Sequence, residues 1–255
     1  MSTRQRKNPK LLGRDAIALL EIINRCLACD TEEEYKSLYA SLQSLIPFDY
    51  AISGVAKLDA NNTIVAYDLI NISYPNEWMT TYTEKKLNDL DVIVQENFTK
   101  FRPQYWGDTY KMVAPSKEFV SLAQDYGLCD GYTHGARPFG PWKRASLFSL
   151  SKSSMQFDAY AITILETIVP HLHQAISNLV NKRESRKYQG KLSPREKEVL
   201  NWIKHGKSSW DISLIMSISE RTVNYHIYNI MQKLDAVNRS QAVAVAAYHG
   251  LIDLD

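Results

Sequence analysis

Residues 192–234 decide the fold of the C-terminal part of the chain, and they read LSPREKEVLNWIKHGKSSWDISLIMSISERTVNYHIYNIMQKL. Ser193, Pro194 and Glu196 have the spacing of a capping box, in which the serine and glutamate side chains each accept a hydrogen bond from an otherwise unpaired N–H. Gly206 suits the left-handed backbone position that follows a helix. The pattern therefore predicts a helix that begins at Pro194 and stops at Gly206.

The next residues predict two helices joined by a tight turn. Ser208 or its neighbour opens the first of them, residues 216–218 form a three-residue turn, and Ser219 caps the second. The second helix carries one continuous apolar stripe: Val223, Ile227, Ile230 and Leu234. With a last helix at about 239–249, residues 192–255 form an all-α, four-helix domain of the helix-turn-helix type.

The third helix of this domain is the candidate DNA reader. When its apolar stripe faces inward, four side chains that can reach base edges in the major groove face outward: Arg221, Asn224, Tyr225 and Tyr228. Four further residues are placed to hold phosphates: Lys207, Thr222, Lys233 and Arg239. A small helical bundle that contacts another protein is the alternative, but short capped helices in this order favour double-stranded DNA as the partner.

This stretch resembles the LuxR-type helix-turn-helix family from Leu192 to Ile252. The resemblance is carried by 192–196, Gly206, Lys207, Ile212, 218–223, His226, Lys233, Leu234, Asn238, Arg239 and Ala242. Residues 211–213 read Asp-Ile-Ser where the family usually has Glu-Ile-Ala. The outward Asn224 and Tyr228 also need not read the bases that arginines at those positions would read. The resemblance thus implies the identity of the domain and leaves its operator sequence open.

Charge divides the chain of 255 residues into parts. Residues 181–255 hold 12 Lys+Arg against 8 Asp+Glu, a net charge of +4, whereas 11–180 hold 14 against 20, or −6. A basic C-terminal part suits a polyanion as partner. Residues 181–191 are rich in charge and nearly free of aliphatic side chains, which predicts a linker. We expect a flexible basic tail at 1–12 and a separate domain at 13–180.

Composition indicates folded globular domains, because 45% of the residues are hydrophobic and 23% are charged. Membrane association is not expected, since no apolar run approaches the ~20 residues that cross a bilayer. The basic first residues precede no apolar run of the signal-peptide type. The three cysteines are too few to staple a fold, which fits a reducing compartment. These features predict a cytoplasmic protein.

Residues 13–180 mix helical and strand patterns. Helical periodicity covers 15–28, 31–46, about 76–87, about 92–98, 116–126 and 160–180. Pro170 should kink or break the last of these helices. Runs with strand character are 50–56, 63–72, 131–137 and 145–151. The order lacks a strict βαβ rhythm and a glycine-rich first turn, so it predicts an α+β domain rather than a phospho-receiver.

Aromatic residues cluster in the middle of this domain. Trp78 and Tyr82 lie four residues apart and share a helix face, with Tyr74, Asp91 and Trp106 close by in sequence. An apolar pocket with a few convergent polar groups is the usual form of a small-molecule site. A buried aspartate beside an indole N–H and a phenol can bind a neutral amide. The same spacing also occurs where aromatic side chains only fill a core.

These residues resemble the autoinducer-binding domains of LuxR-type quorum-sensing receptors. The resemblance is carried by Tyr74, Pro75, Trp78, Tyr82, Asp91, Trp106, Tyr126, Gly127 and Gly131. Together with the C-terminal match it spans roughly residues 15–252. It implies that the N-terminal domain is an α-β-α sandwich with an antiparallel sheet, and that its ligand is an N-acyl-homoserine lactone.

The resemblance also implies roles for individual residues. Trp78 and Asp91 would hold the lactone ring and the amide, while Tyr74 and Tyr82 would lie near the ligand. Trp106 would wall the head-group end, and Ser149 matches a position where some members place a hydroxyl near the amide. Val92 departs from the family, which commonly has proline directly after the aspartate.

Other motifs carry little chemistry. Cys26 and Cys29 have C-x-x-C spacing, and His171 and His173 form a possible metal pair, but neither pair has further ligands nearby in sequence. We therefore expect no metal and no cofactor apart from the small-molecule ligand. The sequence has no G-x-S-x-G, P-loop or H-E-x-x-H motif, so an enzyme is not predicted.

The combined pattern predicts a transcriptional regulator of quorum sensing. The N-terminal domain would bind an N-acyl-homoserine lactone, and the C-terminal domain would bind operator DNA as part of a homodimer. Two alternatives stay open. The regulator could respond to another metabolite or to a protein partner, or the chain could be a lactone-hydrolysing enzyme.

Overall fold

The computed structural model describes residues 11–59, 64–137 and 144–253. The chain divides into two compact units, one ending at Leu179 and the other beginning at Val180. Of the basic tail predicted at 1–12, all but the last two residues lie outside the described ranges.

A five-stranded sheet forms the centre of the first unit. Its strand order is β2-β1-β5-β4-β3, and every neighbouring pair is antiparallel. The strands are β1 (Tyr50–Leu58), β2 (Ile64–Asn71), β3 (Gln104–Tyr105), β4 (Asp130–His134) and β5 (Arg144–Lys152). The four predicted strands are confirmed. β3 was not predicted because two residues are too few to show an alternating pattern.

Helices cover both faces of this sheet. They are α1 (Gly13–Leu27), α2 (Glu32–Leu42), α3 (Asn76–Glu84), α4 (Val92–Lys100), α5 (Trp106–Met112), α6 (Lys117–Asp125) and α7 (Ala159–Arg186), with a short 3-10 helix at Leu87–Asp89. Successive strand residues point to opposite faces. Ile52 therefore lines a cavity beneath α3 to α6, whereas Ser53 hydrogen-bonds the hydroxyls of Tyr35 and Tyr39 on α2. The predicted α-β-α sandwich with an antiparallel sheet is confirmed.

Helix α7 differs from the prediction for the end of the first domain. It runs from Ala159 to Arg186 with Pro170 inside it, so the proline does not divide the helix. Its last turns occupy the first part of 181–191, which the sequence predicted to be a linker. Charged and polar residues such as glutamate, lysine and arginine are good helix formers, and this explains why the helix continues.

The rest of the predicted linker packs against the second unit. Tyr188 contacts the core of that unit and stacks on His249, with ring centroids 4.1 Å apart. The Tyr248 hydroxyl lies within hydrogen-bond distance of Asn181 and Glu184, at 3.2 and 3.3 Å. Residues 181–188 are therefore part of the second unit in structural terms.

Four helices complete the second unit: α8 (Pro194–Lys204), α9 (Ser209–Met216), α10 (Glu220–Leu234) and α11 (Arg239–Tyr248). The capping box at Ser193 and Glu196 is formed in both directions. Between α9 and α10 the backbone of Ser217 is left-handed with φ of 52°, and Ser219 caps α10. This geometry gives the predicted tight turn of a helix-turn-helix. The core of the unit includes Val199, Leu200, Ile212, Val223, Ile230 and Leu234.

A fragment that starts at residue 180 should be more stable than one that starts at 192. The shorter fragment lacks the stacking of Tyr188 and the hydrogen bonds of Tyr248, which together contribute on the order of 1–2 kcal/mol. For a domain of this size we expect its Tm to be lower by roughly 4–8 °C per kcal/mol. Thermal unfolding followed by circular dichroism measures the difference, and Tyr188→Ala in the longer fragment is the control. Equal midpoints for both fragments would contradict the packing described above.

Candidate functional site

A cavity of about 110 Å³ lies between the sheet and helices α3 to α6. Apolar and aromatic side chains form most of its lining, and a few polar groups converge on it, as in small-molecule sites. Among the lining residues are all six that the sequence singled out: Tyr74, Trp78, Tyr82, Asp91, Trp106 and Ser149. The fold thus brings together side chains that are up to 75 positions apart in the sequence.

Asp91 is the residue that caps α4. Its Oδ1 accepts hydrogen bonds from the backbone N–H groups of Ile93 at 3.0 Å and Val94 at 3.2 Å, while its Oδ2 accepts one from the Tyr82 hydroxyl at 3.0 Å. Burial raises the pKa of Asp91 to about 6, although these hydrogen bonds oppose the shift. A carboxylate oxygen has more than one acceptor site, so Oδ2 can also accept an N–H from a ligand in the cavity.

Tyr82 orients this carboxylate. Because its hydroxyl donates to Asp91, it is less available to a ligand than the phenol of Tyr74, which also lines the cavity. Burial and the charge of Asp91 raise the pKa of Tyr74, and the polar Ser149 side chain opposes the shift. Tyr74 is therefore a neutral donor at neutral pH.

A chain of hydrogen bonds connects Trp106 with Ser149. The Trp106 indole N–H donates to Thr133 Oγ1 at 2.8 Å, and this hydroxyl lies 2.7 Å from Ser149 Oγ. Gly131 makes the position of Trp106 possible, because a Cβ there would lie 2.3 Å from the Leu150 carbonyl oxygen and 3.0 Å from the indole. Trp106 therefore forms a fixed wall of the cavity, and its N–H is used within the protein.

Trp78 presents the second indole to the cavity. Its side chain is 4% exposed and is held by edge contacts with Tyr82 and Phe119 and a tilted contact with Tyr126. Its N–H forms no hydrogen bond with any residue that the structure describes. The indole is thus a rigid donor that a ligand can use.

Two residues with polar side chains at this site were not predicted from the sequence. Thr133 links Trp106 and Ser149, and Tyr110 lines the cavity from α5. Thr133 is two positions after Gly131 and so lies on the same face of β4. Tyr110 is four positions after Trp106 on one helix. Both spacings could have indicated these residues, but without the fold nothing separated them from other threonines and tyrosines.

The exposed face of α10 forms the second candidate site. Arg221 and Asn224 are exposed, and Tyr225 and Tyr228 are 62% and 60% exposed. Asn224 Oδ1 accepts a hydrogen bond from Ser209 Oγ at 2.7 Å, which orients the side-chain amide and connects the two helices of the helix-turn-helix. All four predicted base readers therefore lie on one solvent-facing surface.

The predicted phosphate contacts fall into three groups. Lys207, before α9, and Arg239, at the start of α11, are exposed. The Thr222 hydroxyl lies 2.7 Å from the Ser219 hydroxyl and supports the cap of α10. Lys233 is also exposed, and its Nζ donates to both carboxylate oxygens of Glu196, at 2.7 and 2.8 Å. Its charge balances a carboxylate that is 3% exposed, while the Lys233 side chain itself is 40% exposed.

The C-x-x-C motif and the histidine pair contain groups whose pKa values are shifted by burial. Burial raises the pKa of the Cys26 thiol to about 12, and the neighbouring Cys29 adds to the shift, so the thiol stays protonated and unreactive. Burial also lowers the pKa of His173. In the described ranges no three His, Cys, Asp or Glu side chains are grouped so that they could hold a metal ion. No helix in the part of the chain that the structure describes is long and apolar enough to span a bilayer.

The first unit is an antiparallel sheet covered by helices that enclose an apolar cavity, and the second unit is a helix-turn-helix. This combination defines a ligand-responsive DNA-binding regulator. The model of the family "Autoinducer binding domain" matches residues 31–176, and that of "Bacterial regulatory proteins, luxR family" matches residues 190–246. The chain belongs to the LuxR family of autoinducer-binding transcriptional regulators involved in quorum sensing. Its relatives are regulators rather than enzymes.

Three similar proteins cover between 71% and 92% of the chain. The transcriptional activator protein VanR of Vibrio anguillarum is 29% identical over 238 residues, covering 92% of this chain and 98% of that protein. The quorum-sensing regulator RhlR of Pseudomonas aeruginosa is 30% identical over 183 residues, covering 71% of this chain and 74% of that protein. The crystal structure of Escherichia coli SdiA matches with a TM-score of 0.56 at 24% identity, covering 92% and 97% of the two chains.

The raised pKa of Asp91 predicts how pH changes the stability of the first unit. Protons bind this carboxyl more tightly in the folded chain, with a pKa of about 6, than in the unfolded chain, near 3.8. The free energy of unfolding of the wild type, minus that of Asp91→Asn, should therefore rise as pH falls from 7 to 4. The rise over this range should be about 2 kcal/mol, since the unfolded carboxyl is only partly protonated at pH 4. Urea unfolding across this pH range measures it.

Asp125→Asn, on the exposed end of α6, is the matched control for this experiment. It removes a carboxyl from the same unit without touching the cavity. A difference between the wild type and Asp91→Asn that falls or stays flat toward pH 4 would show that the carboxyl is not held in a desolvated site.

Proposed function

We propose that the cavity binds an N-acyl-homoserine lactone as the autoinducer. The support is the convergence of three complementary groups on one apolar cavity. Asp91 Oδ2 would accept the amide N–H, and the free indole N–H of Trp78 would donate to the ring carbonyl. Tyr74, together with Ser149, would donate to the acyl carbonyl, while Tyr82 and Trp106 hold the carboxylate and the wall in place. Because the lining is largely apolar, an uncharged ligand is favoured.

Ligand binding would control the population of the DNA-binding form. Each buried acyl CH₂ contributes ~0.8 kcal/mol, so a chain of several carbons can stabilise the first unit substantially. A ligand that binds only the folded, dimer-competent state shifts the population toward that state. The proposed active form is a homodimer on a two-fold operator, with α10 of each protomer in the major groove.

The DNA contacts in this proposal follow from exposure and charge. Arg221, Asn224, Tyr225 and Tyr228 would face base edges, with the amide of Asn224 suited to adenine. Lys207, Thr222 and Arg239 would lie along the phosphates. Lys233 would join this group while its ammonium group also binds Glu196.

A second ligand class has a specific observation in its favour. A structure of SdiA in complex with octanoyl-rac-glycerol matches this chain with a TM-score of 0.59 at 23% identity, covering 95% and 98% of the chains. An acylglycerol has no amide N–H, so it would have to donate a hydroxyl to Asp91. Direct comparison of the two ligands on this chain separates these candidates. An assay for lactone ring opening tests the hydrolase alternative.

A lactone of suitable acyl length should raise the Tm of the purified protein. At about 100 times its Kd a ligand stabilises by ~2.7 kcal/mol, and a chain of this size gains roughly 2–4 °C per kcal/mol. Asp91→Asn should remove most of this gain, since the amide would meet an N–H or a weaker acceptor. Differential scanning fluorimetry with a series of acyl lengths is the measurement, and Asp125→Asn is the matched control. A normal response of Asp91→Asn, or no response to any acyl length, would rule out the proposed binding mode.

Two substitutions separate base reading from phosphate binding. Asn224→Ala should weaken binding to the operator more than to random duplex, because it removes a group placed to read a base. Lys207→Ala should weaken binding to both duplexes. It should also reduce the slope of log K against log salt concentration by ~0.9, the value for one phosphate that is no longer neutralised. Fluorescence anisotropy at several salt concentrations measures both, with Lys36→Ala in α2 as control. An equal decrease on both duplexes in both variants would show that these roles are wrongly assigned.

A further inference from the structure

The cavity is too small for the ligand that it is proposed to bind. An apolar cavity of ~150 Å³ accommodates benzene, whereas this one measures about 110 Å³. A lactone ring, an amide and an acyl chain together need considerably more room than one benzene molecule. Part of the cavity wall must therefore move when a ligand binds. This movement is easiest where the wall is thinnest.

One side chain, Tyr110, is shared between the cavity and a groove on the outer surface. The groove has a volume of about 410 Å³ and is bounded by Ala114, Pro115, Lys117, Val120, Ser121 and Gln124. Tyr110 is the residue that lines both spaces. Helix α6 presents Phe119 and Ala123 to the cavity, and Val120 to the groove. The wall between the two spaces therefore consists of α6 and the Tyr110 side chain.

Tyr110 lies at the polar end of the cavity. Burial and then the charge of Asp91 raise the pKa of its phenol, and Tyr110 in turn contributes to the raised pKa of Tyr74. Among the described residues its hydroxyl has no hydrogen-bond partner, in contrast to Tyr82, which is fixed by Asp91. Its helix ends two residues later, at Met112. The side chain is thus poorly restrained compared with the other aromatic groups around the cavity.

We propose that Tyr110 is a specificity-determining residue that closes the head-group end of the cavity against the α5–α6 groove. This inference rests on the proposed function. When the phenol turns outward, the cavity joins the groove, which supplies a path for the ligand and space beside its ring. This outward turn adds the room that a five-membered lactone ring needs, whereas the phenol still blocks N-acyl amides that carry a larger ring.

The first test needs no autoinducer. Acrylamide, a small neutral quencher, reaches the indoles of Trp78 and Trp106 more readily if the Tyr110 ring is removed. We expect Tyr110→Ala to raise the Stern–Volmer constant of tryptophan fluorescence, and Tyr110→Phe and Val120→Ala to leave it unchanged. Equal quenching in the wild type and a folded Tyr110→Ala protein would overturn the closure.

The second test compares two ligands with the same acyl chain, N-octanoyl-homoserine lactone and the N-octanoyl amide of 2-aminonaphthalene. Isothermal titration gives the ratio of the Kd for the larger ring to the Kd for the lactone. Tyr110→Ala should lower this ratio by at least about tenfold, whereas Tyr110→Phe, which keeps the ring, should not. An unchanged ratio in Tyr110→Ala would overturn the specificity role.

A third variant changes a residue of the groove and leaves the residues of the cavity unaltered. Ala114→Trp places an indole at an exposed position of the groove and should slow association of the lactone in stopped-flow measurements, while Lys111→Trp on the other side of α5 should not. Equal rates for both would overturn the path. Increased quenching in Tyr110→Ala, in a chain that binds no lactone, would support the closure and count against the proposed function alone.

Discussion

The hydrogen-bonded carboxylate of Asp91 is the interaction on which the geometry of the first unit depends. An anion is favoured at the N-terminus of α4, where unpaired N–H groups and the helix dipole meet it, but burial disfavours its charge. The raised pKa shows that burial dominates. The carboxylate therefore needs both its cap and the Tyr82 hydroxyl, and this requirement fixes α3 against the start of α4. Trp78, one turn before Tyr82, is positioned by the same contact.

The second unit uses a buried carboxylate in a different way. Glu196 completes the capping box of α8 and also accepts two hydrogen bonds from Lys233 at the end of α10. These bonds outweigh the effect of burial and lower the pKa of Glu196. One ion pair thus connects the first helix of the unit with the recognition helix. Removing Lys233 would leave the buried carboxylate of Glu196 without its countercharge, which is the expensive case, whereas Lys233 is 40% exposed and can be solvated.

Features that depend on residues close together in the sequence were predicted, and features that depend on residues far apart in the sequence were not. The capping box at Ser193 and the stripe on α10 are set by residues within a few positions, and both were predicted. The contact of Lys233 with Glu196 joins residues 37 positions apart, so Lys233 looked like an ordinary surface cation. The cavity shows the same division, because its aromatic cluster is compact in sequence and matches a family pattern. Thr133 and Tyr110 were missed, since their importance comes from what lies opposite them after folding.

The unfilled cavity links the stability of the first unit to its response to a ligand. Side chains that line an unfilled space make fewer dispersion interactions, so a cavity lowers the stability of the unit that contains it. A ligand that fills the space restores those interactions and adds the burial of its own surface. The free energy that the empty unit lacks is therefore the free energy that a ligand can supply. A more tightly packed wall at Tyr110 would make the unit more stable and, for the same reason, less responsive.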